Sequence, residues 1–386
     1  MQVILHGDLV LFDRVLHDGS IAYEDGRICF VGEAARFSPP PDAEILDARG
    51  LIIGPGFVDI HCHAGATYTM DRDPASAATH HLRHGTTSLC ATLGYNLTFP
   101  EVFAGIDRVR AAMTSKTPGN LIGIHFEGPY VSPNQGTDHA KALPILPADF
   151  EEFGRRAQGL IRQWMYPPEQ PNSEALESYF QKNHIVSAIG HTDASPQRIE
   201  QAAQAGATIV THMFDAMGCW RGDESVQETG IIQETVADGA LLVDSLIYEI
   251  ICDSQAIHVK PANLKLIYKF AGPDRIALVT DCFYRDYNPA DYPKTHKRSA
   301  PDLNFTEEGA LFGSTLSMDR AFRNFRHFTG SGLVETFRMA ASTPAKAVRI
   351  FDRVGSIEAG KDADFVLMDP ETCAVQHVIS KGRLIR

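Results

Sequence analysis

The sequence lacks the features that mark membrane proteins and nucleic-acid-binding proteins. No apolar run approaches the ~18 residues that a membrane-spanning helix needs, and no basic segment followed by an apolar one opens the chain. Lysine and arginine number 35 against 48 aspartates and glutamates, which gives a formal net charge of −13. Because phosphate contacts require clustered basic side chains, this balance argues against a nucleic-acid partner. We expect a cytoplasmic protein with neither a membrane nor a nucleic-acid partner.

The sequence also lacks closely spaced pairs of cysteines. The seven cysteines are an odd number and show no Cys-x-x-Cys spacing; they are Cys29, Cys62, Cys90, Cys219, Cys252, Cys282 and Cys373. This pattern is typical of reduced thiols in a cytoplasmic protein. No internal repeat or low-complexity segment is evident. At 386 residues the chain exceeds a typical single domain, but it can hold a barrel of about 250 residues and one satellite.

What the chain does contain is a pair of histidines at the end of an apolar run. His61 and His63 follow Phe57, Val58 and Ile60, which are typical of a buried strand. Alternate residues of a strand project to the same side, so both imidazoles can face one ion. Imidazole ligands favour zinc, iron or a similar transition metal over calcium or magnesium. Cys62, between the two histidines, is expected to point away from that ion.

Four further apolar runs each end in a polar residue that can join such a site. Each run is a short stretch of β-branched and aliphatic residues, and the polar residues at their carboxyl ends are Glu127, His191, His212 and Asp281. Helix-like segments lie between the runs, for example 195–205, which begins Ser-Pro and is followed by Gly206. Alternating strands and helices predict a parallel sheet. We predict an α/β protein with a (β/α)8 barrel, in which the strand ends converge on the active-site face.

Each of these residues also has a simpler explanation. A lone histidine after a strand is more often a hydrogen-bonded structural residue, Glu127 stands beside a Gly-Pro turn, and Asp281 can cap a helix. Taken together, the simpler explanations require five coincidences of residue type and position. We therefore prefer the interpretation that these residues together form one metal site.

The two ends of the chain have a different texture. Residues 1–54 and 345–386 contain short alternating strands separated by turn signals such as Asp18-Gly19 and Lys381-Gly382. Chain termini of a domain often lie close together. We predict that both ends form one small β-sandwich beside the barrel, which spans residues 55–344.

The motifs together resemble the amidohydrolase superfamily, and within it most closely the N-acetylglucosamine-6-phosphate deacetylases. The resemblance covers nearly the whole chain in the same order. Its most specific parts are Glu127-Gly128-Pro129 and the segment 211–217, Thr-His-Met-Phe-Asp-Ala-Met. The segment 311–318, Leu-Phe-Gly-Ser-Thr-Leu-Ser-Met, also resembles a substrate-binding segment of that family and includes Phe312 and Gly313.

The resemblance implies roles for the strand-end residues. Glu127, His191 and His212 match the principal metal ligands, and His61 with His63 match the extra pair of members that hold a second ion. The cofactor implied is one or two divalent ions of zinc, iron or manganese, with Glu127 bridging two. A bound metal would acidify its water and polarise the amide carbonyl, so that the resulting hydroxide attacks the acetyl carbon. Asp281 matches the general base and acid.

Two departures from the family concern the substrate phosphate. Asp215, followed by Ala216, stands where the phosphate-binding deacetylases have an asparagine, and Gln227 stands near their arginine. A carboxylate beside a phosphate is repulsive. Arg221, in an inserted acidic loop, is either a replacement cation or a solvated loop charge.

Other segments match the family with insertions. His258 resembles a histidine that reaches the neighbouring subunit's substrate in a homodimer, although a structural histidine at a strand end is an equal alternative. His139 is the natural counterpart of another substrate histidine, with Asp138 at the unshifted position. The loop 283–298 offers Tyr284, Arg285 and His296, and nothing in the sequence fixes their role.

The predicted function is metal-dependent hydrolysis of a small-molecule N-acetyl amino sugar, with N-acetylglucosamine 6-phosphate as the family's default substrate. Because of Asp215 and Gln227, we expect at most a tenfold preference for the phosphorylated sugar. An amidohydrolase acting on a non-phosphorylated or differently N-acylated sugar or amine is the alternative. A catalytically silent binding scaffold is a minor one, since every expected ligand and Asp281 are present.

Overall fold

The computed structural model describes residues 1–115, 117–136, 142–218, 234–283, 302–306 and 310–386. Numbered along the chain, the strands are β1 (Gln2–Val10), β2 (Val15–Glu24), β3 (Arg27–Glu33), β4 (Glu44–Asp47), β5 (Ile52–Pro55), β6 (Phe57–Asp59), β7 (Ala64–Gly65), β8 (Tyr68–Thr69), β9 (Thr86–Gly94), β10 (Leu121–Glu127), β11 (Ile161–Tyr166), β12 (Val186–Ile189), β13 (Ala207–Val210), β14 (Ile247–Ile251), β15 (Ile276–Val279), β16 (Leu303–Phe305), β17 (Leu311–Ser314), β18 (Phe365–Met368), β19 (Val375–Ser380) and β20 (Arg383–Leu384).

The α-helices are α1 (Pro74–Arg83), α2 (Phe99–Ser115), α3 (Pro147–Ala157), α4 (Ser173–Lys182), α5 (Pro196–Gln204), α6 (Val236–Leu241), α7 (Pro261–Ala271), α8 (Met318–Thr329), α9 (Leu333–Phe337) and α10 (Thr343–Ala347). A 3₁₀ turn, Ala34–Arg36, and a π-helical turn, Arg338–Ser342, complete the regular structure of the described residues. None of the described helices is both long enough and apolar enough to span a bilayer.

Eight strands form a parallel sheet in the order β6, β9, β10, β11, β12, β13, β14, β15. Helices α1 to α7 connect successive strands, and α8 follows β15. The first and last strands also meet at their carboxyl ends. The backbone N–H of Asp281 donates to the carbonyl of His61 at 2.9 Å, and Thr280 Oγ1 donates to Asp59 Oδ2 at 2.6 Å. The predicted (β/α)8 barrel is confirmed.

Both faces of the barrel strands are buried, which explains their continuous apolar sequences. In β15, Ala277 and Val279 belong to the apolar cluster that also contains Val58 of β6, whereas Ile276 and Leu278 pack in the layer between sheet and helices. Successive side chains of a strand therefore point alternately into the barrel and toward the helices, so that both faces of the sheet are packed. The residue after the last inward position is then placed at the open end of the barrel.

The helices begin where the sequence signals them. Ser195 caps α5, its hydroxyl accepting from the backbone N–H of Arg198 at 3.2 Å, and Pro196 occupies the first turn, where no N–H is required. Ile199 and Ala202 are buried on the inner face of α5. This face packs the helix against the sheet and fixes the strand-to-helix loops above it.

The two chain ends form a second, hydrogen-bonded sheet of eight strands in the order β20, β19, β18, β5, β1, β2, β3, with β4 also paired to β1. Three strand spacings of about 4.8 Å separate β2 from β18 along the sheet, yet the rings of Tyr23 and Phe365 lie only 5.8 Å apart. The sheet therefore folds over on itself and encloses an apolar core, as in a sandwich. The prediction that both termini build one β unit beside the barrel is confirmed.

Candidate metal centre and active site

Six predicted site residues come together at the carboxyl ends of the barrel strands. They follow or end five of the strands, all are at most 5% exposed, and they are His61, His63, Glu127, His191, His212 and Asp281. Parallel strands bring their carboxyl ends to one face of the barrel, so residues far apart in sequence become neighbours. The result is a compact group of four imidazoles and two carboxylates.

Three of these residues have backbone conformations that are unusual for a residue with a side chain. The φ angles of His191, His212 and Asp281 are +45°, +28° and +44°. Such left-handed conformations cost of order 1–3 kcal/mol and occur most often at functional sites. Each lies immediately after a barrel strand or within two residues of one, where the turn aims the side chain into the group.

One set of ligand atoms consists of Glu127, His191 and His212. Glu127 Oε1 lies 3.0 Å from His191 Nε2 and 3.1 Å from His212 Nε2, and the two Nε2 atoms are 3.1 Å apart. One glutamate oxygen and two imidazole nitrogens thus surround a single point. This is the donor set of a zinc-type site with an open position.

A second set shares Glu127 with the first. His63 Nε2 lies 3.1 Å from Glu127 Oε2, and the Nε2 atoms of His61 and His63 are 3.2 Å apart. Asp281 Oδ1 is 3.3 Å from both of these nitrogens. Oε2 of Glu127 thus faces His63, whereas Oε1 faces the two histidines of the first set and also lies 3.5 Å from His61 Nε2, so the carboxylate belongs to both sets.

The hydrogen bonds of the outer imidazole nitrogens test whether a metal fits. Nδ1 of His61 lies 3.0 Å from Glu249 Oε2, and Nδ1 of His212 lies 3.2 Å from the carbonyl of Asp215. Since those oxygens accept, Nδ1 carries the proton and Nε2 presents a lone pair to its neighbours. Lone pairs that face one another and two carboxylates in a buried site are stabilised by positive charge between them, which protons or a metal ion can supply. The donor set fits a divalent metal.

The electrostatic field of the group also favours positive charge. Burial by itself lowers the pKa of His61, but Asp281, Glu127 and Glu249 raise it to about 10. Burial likewise lowers the pKa of His212, and Glu127 raises it to about 9. Burial raises the pKa of Asp281, whereas His61 and His63 lower it to about 2. The carboxylate of Asp281 is therefore ionised at neutral pH.

Glu249 is a site residue that sequence reasoning missed. It is fully buried in β14, accepts from Gln163 Nε2 at 2.6 Å through Oε1, and accepts from His61 through Oε2. The available signal was a glutamate within the otherwise apolar run Ile247–Ile251. A carboxylate at that position can stay buried only if it is paired or hydrogen-bonded.

A cavity of about 190 Å³ opens above the group and reaches Glu127, His191, His212 and Asp281. The predicted substrate residues Asp215, Ala216, Phe312 and Gly313 line it, together with Tyr95, Gly136, Phe283 and Leu311. Among the lining residues that the structure describes, none is a lysine or an arginine. The described wall therefore offers no cation to a substrate phosphate, and Asp215 adds a carboxylate.

His258 lies beside this cavity without lining it. Its Nδ1 is 2.9 Å from Asp253 Oδ2, and its Nε2 is 3.1 Å from the carbonyl of Gly313 in the same chain. Burial lowers the pKa of His258, but Asp253 and Asp215 raise it above its usual value. His258 is thus placed to support Gly313, and its reach to a neighbouring subunit stays a prediction.

Two predicted substrate residues, His139 and Arg221, lie outside the described residues. The same holds for Asp138, Gln227, Tyr284, Arg285 and His296. Cys62 points away from the group, as predicted, because its Sγ lies 3.2 Å from both the Ala64 carbonyl and Nε2 of His81.

Comparison with known proteins gives a family match over most of the chain. Residues 52–385 match the family model described as "Amidohydrolase family". The N-acetylglucosamine-6-phosphate deacetylase of Bacillus subtilis (strain 168) is 30% identical over 399 aligned positions, covering 97% of this chain and 95% of the relative. The N-acetylgalactosamine-6-phosphate deacetylase of Escherichia coli O157:H7 is 28% identical, covering 92% of each.

The architecture also matches solved structures. The N-acetylglucosamine-6-phosphate deacetylase from Pasteurella multocida superposes with a TM-score of 0.85 at 22% identity, covering 99% of both chains. At 22% sequence identity, this structural similarity is evidence for the fold alone.

Proposed function

Because the chain belongs to the amidohydrolase family, we propose that it hydrolyses the amide of an N-acetyl amino sugar with the help of divalent metal, releasing acetate and the free amine. The observation that carries the proposal is the convergence of four imidazole Nε2 atoms on Glu127, with Asp281 beside two of them, next to a cavity lined by both carboxylates. The curated relatives named above act on N-acetylated sugar phosphates, which supports an amino sugar as the substrate class.

The metal roles follow from the two sets of ligand atoms. Glu127, His191 and His212 would hold a first ion, and His61 and His63, together with Glu127, would hold a second. Zinc, iron and manganese all suit imidazole and carboxylate donors. When bound, a divalent metal lowers the pKa of water and polarises the substrate carbonyl.

Asp281 performs the proton transfers in this scheme. Its carboxylate is ionised, lies 3.3 Å from Nε2 of His61 and of His63 and lines the cavity, so it can accept a proton from the attacking water. The protonated Asp281 then delivers that proton to the amide nitrogen as the carbon–nitrogen bond breaks. The amine leaves with its bonding electron pair, and the acyl carbon leaves as a carboxylate.

The walls of the cavity hold the sugar. Asp215 is a hydrogen-bond acceptor, and Ala216 and Gly313 expose backbone close to the metal ligands. His258 holds the carbonyl of Gly313, and the ring of Phe312 forms an apolar part of the same cavity lining. His139 and Arg221 remain predicted contributors.

The charge of the cavity wall indicates whether the enzyme should prefer a phosphate or a hydroxyl at the sugar's 6-position. A carboxylate at ~4 Å repels a phosphate by about 1 kcal/mol even where water partly screens it, and the described lining has no compensating cation. We propose that kcat/KM for N-acetylglucosamine 6-phosphate exceeds that for the best non-phosphorylated N-acyl sugar by less than about tenfold.

A substrate panel tests this proposal. Rates of acid release are compared for N-acetylglucosamine, N-acetylgalactosamine, their 6-phosphates, and the N-formyl and N-succinyl analogues, with metal content measured on the same preparation. Asp215→Asn is expected to shift kcat/KM toward the phosphorylated sugars by about fivefold, which corresponds to ~1 kcal/mol. A large preference for the 6-phosphate that disappears in Arg221→Ala would show that the inserted loop provides the cation.

Three further expectations complete the proposal. The protein is a cytoplasmic homodimer, and His258 contributes to the partner's site or supports its own. Residues 55–344 form the catalytic barrel domain, and residues 1–54 with 345–386 form the β-sandwich domain. Size-exclusion chromatography with light scattering tests the oligomeric state.

A further inference from the structure

A second cavity approaches the metal group from the side of His63. It has a volume of about 230 Å³, and its described lining includes His63, Leu97 and the two phenylalanines Phe283 and Phe312, with Asp71 and Arg72 as its charged members. The first cavity, of about 190 Å³, reaches His191 and His212 instead. The two cavities therefore reach different members of the same group of ligands.

Two phenylalanines line both cavities and form the wall between them. Phe283 stacks on the ring of His63, with centroids 4.0 Å apart and planes inclined by 25°. Phe312 packs against Phe283 at 4.3 Å and 47°. Since both rings appear in each lining, removing either side chain would join the two spaces.

The backbone holds this wall firmly in place. The N–H of Phe283 donates to the Ser314 carbonyl at 2.8 Å, and the N–H of Ser314 donates to the Asp281 carbonyl at 2.8 Å. Between them, Gly313 has φ +57°, and a Cβ there would lie 2.7 Å from both the Phe283 ring and the Asp281 carbonyl oxygen. The wall is thus tied directly to the residue that we assign as the proton carrier.

The chemistry of the amide decides which part of the substrate meets the wall. The scissile carbon has to sit next to the ligands and Asp281, with the sugar on one side and the acyl chain on the other. The sugar needs polar partners, and Asp215 and Ala216 provide them near His212, whose Nδ1 lies 3.2 Å from the Asp215 carbonyl. The acyl chain is apolar, and the apolar surface nearest His63 is formed by Phe283 and Phe312.

We propose that Phe283 and Phe312 form an acyl-length gate that restricts this hydrolase to formyl and acetyl groups by closing off the space beside His63. This inference rests on the proposed amide hydrolysis and adds the residues that determine its acyl specificity. One methylene too many in a fitted apolar pocket costs roughly 10–200-fold in kcat/KM. The wild-type enzyme is expected to discriminate to at least that extent between N-acetyl and N-butyryl sugars.

The test compares wild type, Phe283→Ala and Phe312→Ala on N-formyl, N-acetyl, N-propionyl and N-butyryl glucosamine. The ratio of kcat/KM for the butyryl and acetyl substrates is expected to rise at least about tenfold in each variant. Phe328→Ala, on α8 and outside both cavity linings, controls for the general effect of removing a partly buried phenyl ring. If Phe283→Ala folds poorly, Phe283→Leu replaces it in the test. Leucine keeps most of the side-chain volume, so the butyryl-to-acetyl ratio of kcat/KM should be intermediate.

A second readout does not depend on hydrolysis. Binding of acetate, propionate and butyrate to the zinc-loaded protein is measured by calorimetry, and Phe283→Ala should gain affinity for butyrate relative to acetate. Unchanged substrate ratios and unchanged carboxylate selectivity in both alanine variants would overturn the gate while leaving deacetylation intact. A shift in carboxylate selectivity without hydrolysis of any N-acyl sugar would overturn the proposed function and keep the gate.

Discussion

Nδ1 of His61 lies 3.0 Å from Oε2 of Glu249, a fully buried glutamate in the middle of β14. The contact connects two strands that are not neighbours in the barrel and turns Nε2 of His61 toward Glu127 and Asp281. Carboxylates that accept from the second nitrogen of a ligating histidine fix its tautomer and orientation.

Replacing this carboxylate should weaken one metal position more than the other. Glu249→Gln is expected to lower affinity at the position of His61 and His63 by about 10–100-fold and to leave the position of His191 and His212 nearly unchanged. Chelator competition followed by elemental analysis measures both affinities. Glu177→Gln is the matched control, since Glu177 is buried and hydrogen-bonded to Tyr166 but remote from the ligands. Equal loss at both positions would contradict a selective role for Glu249.

Two ions per chain are expected, because Glu127 belongs to two sets of ligand atoms, one with His61 and His63 and one with His191 and His212. Protein saturated with zinc, iron or manganese should contain two ions, and the double variant His61→Asn/His63→Asn should contain one. Elemental analysis of dialysed samples gives the counts. At most one ion in the wild-type protein would rule out the second position.

Asp281→Asn should fold and keep its metal but lose turnover. An amide cannot accept the proton of the attacking water, and general acid–base catalysis contributes about 10²–10⁴-fold. We expect kcat to fall by that factor with little change in KM. Asp319→Asn is a control, because Asp319 is buried at the start of α8 and lines neither cavity. Near wild-type kcat in Asp281→Asn would remove Asp281 from the mechanism.

The second sheet carries a pH-sensitive aspartate. Burial raises the pKa of Asp364 from 3.8 to about 6, although the N–H of Lys381 donates to its Oδ1 at 2.6 Å. Between these two values the folded protein binds more protons than the unfolded chain, so this group's contribution to stability falls as pH rises. Asp364→Asn should therefore gain about 1 kcal/mol relative to wild type between about pH 5 and about pH 7.5.

Urea unfolding at these two pH values measures the difference, with Asp42→Asn as the control at an exposed aspartate. A stability difference between Asp364→Asn and wild type that is the same at both pH values would show that Asp364 does not titrate in this window.

The sequence predicted the barrel and which side chains come together at its strand ends, for a simple physical reason. His61, Glu127 and Asp281 each follow or end a buried apolar run, and parallel strands in a barrel bring such positions to one face. A local sequence pattern is therefore sufficient to identify such residues, because the parallel arrangement of the strands brings them together.

Contacts between distant segments could not be predicted in the same way. Glu249 is recognisable as an acid in an apolar strand, but its pairing with His61 depends on which side chains point into the barrel. The contact of Phe283 with Phe312 arises because Cys282 and Ser314 pair as a β-bridge across 32 residues of sequence. His258 and Gly313 are likewise 55 residues apart in the sequence. No local sequence pattern predicts either contact.

The most direct test of the central claim is acetate release from N-acetylglucosamine and its 6-phosphate by metal-stripped protein before and after reconstitution. The stripped protein should release negligible acetate, adding zinc, iron or manganese should restore release, and Asp281→Asn should not recover. Undiminished release without metal, or no release from any N-acyl amino sugar by fully loaded wild-type protein, would contradict this claim.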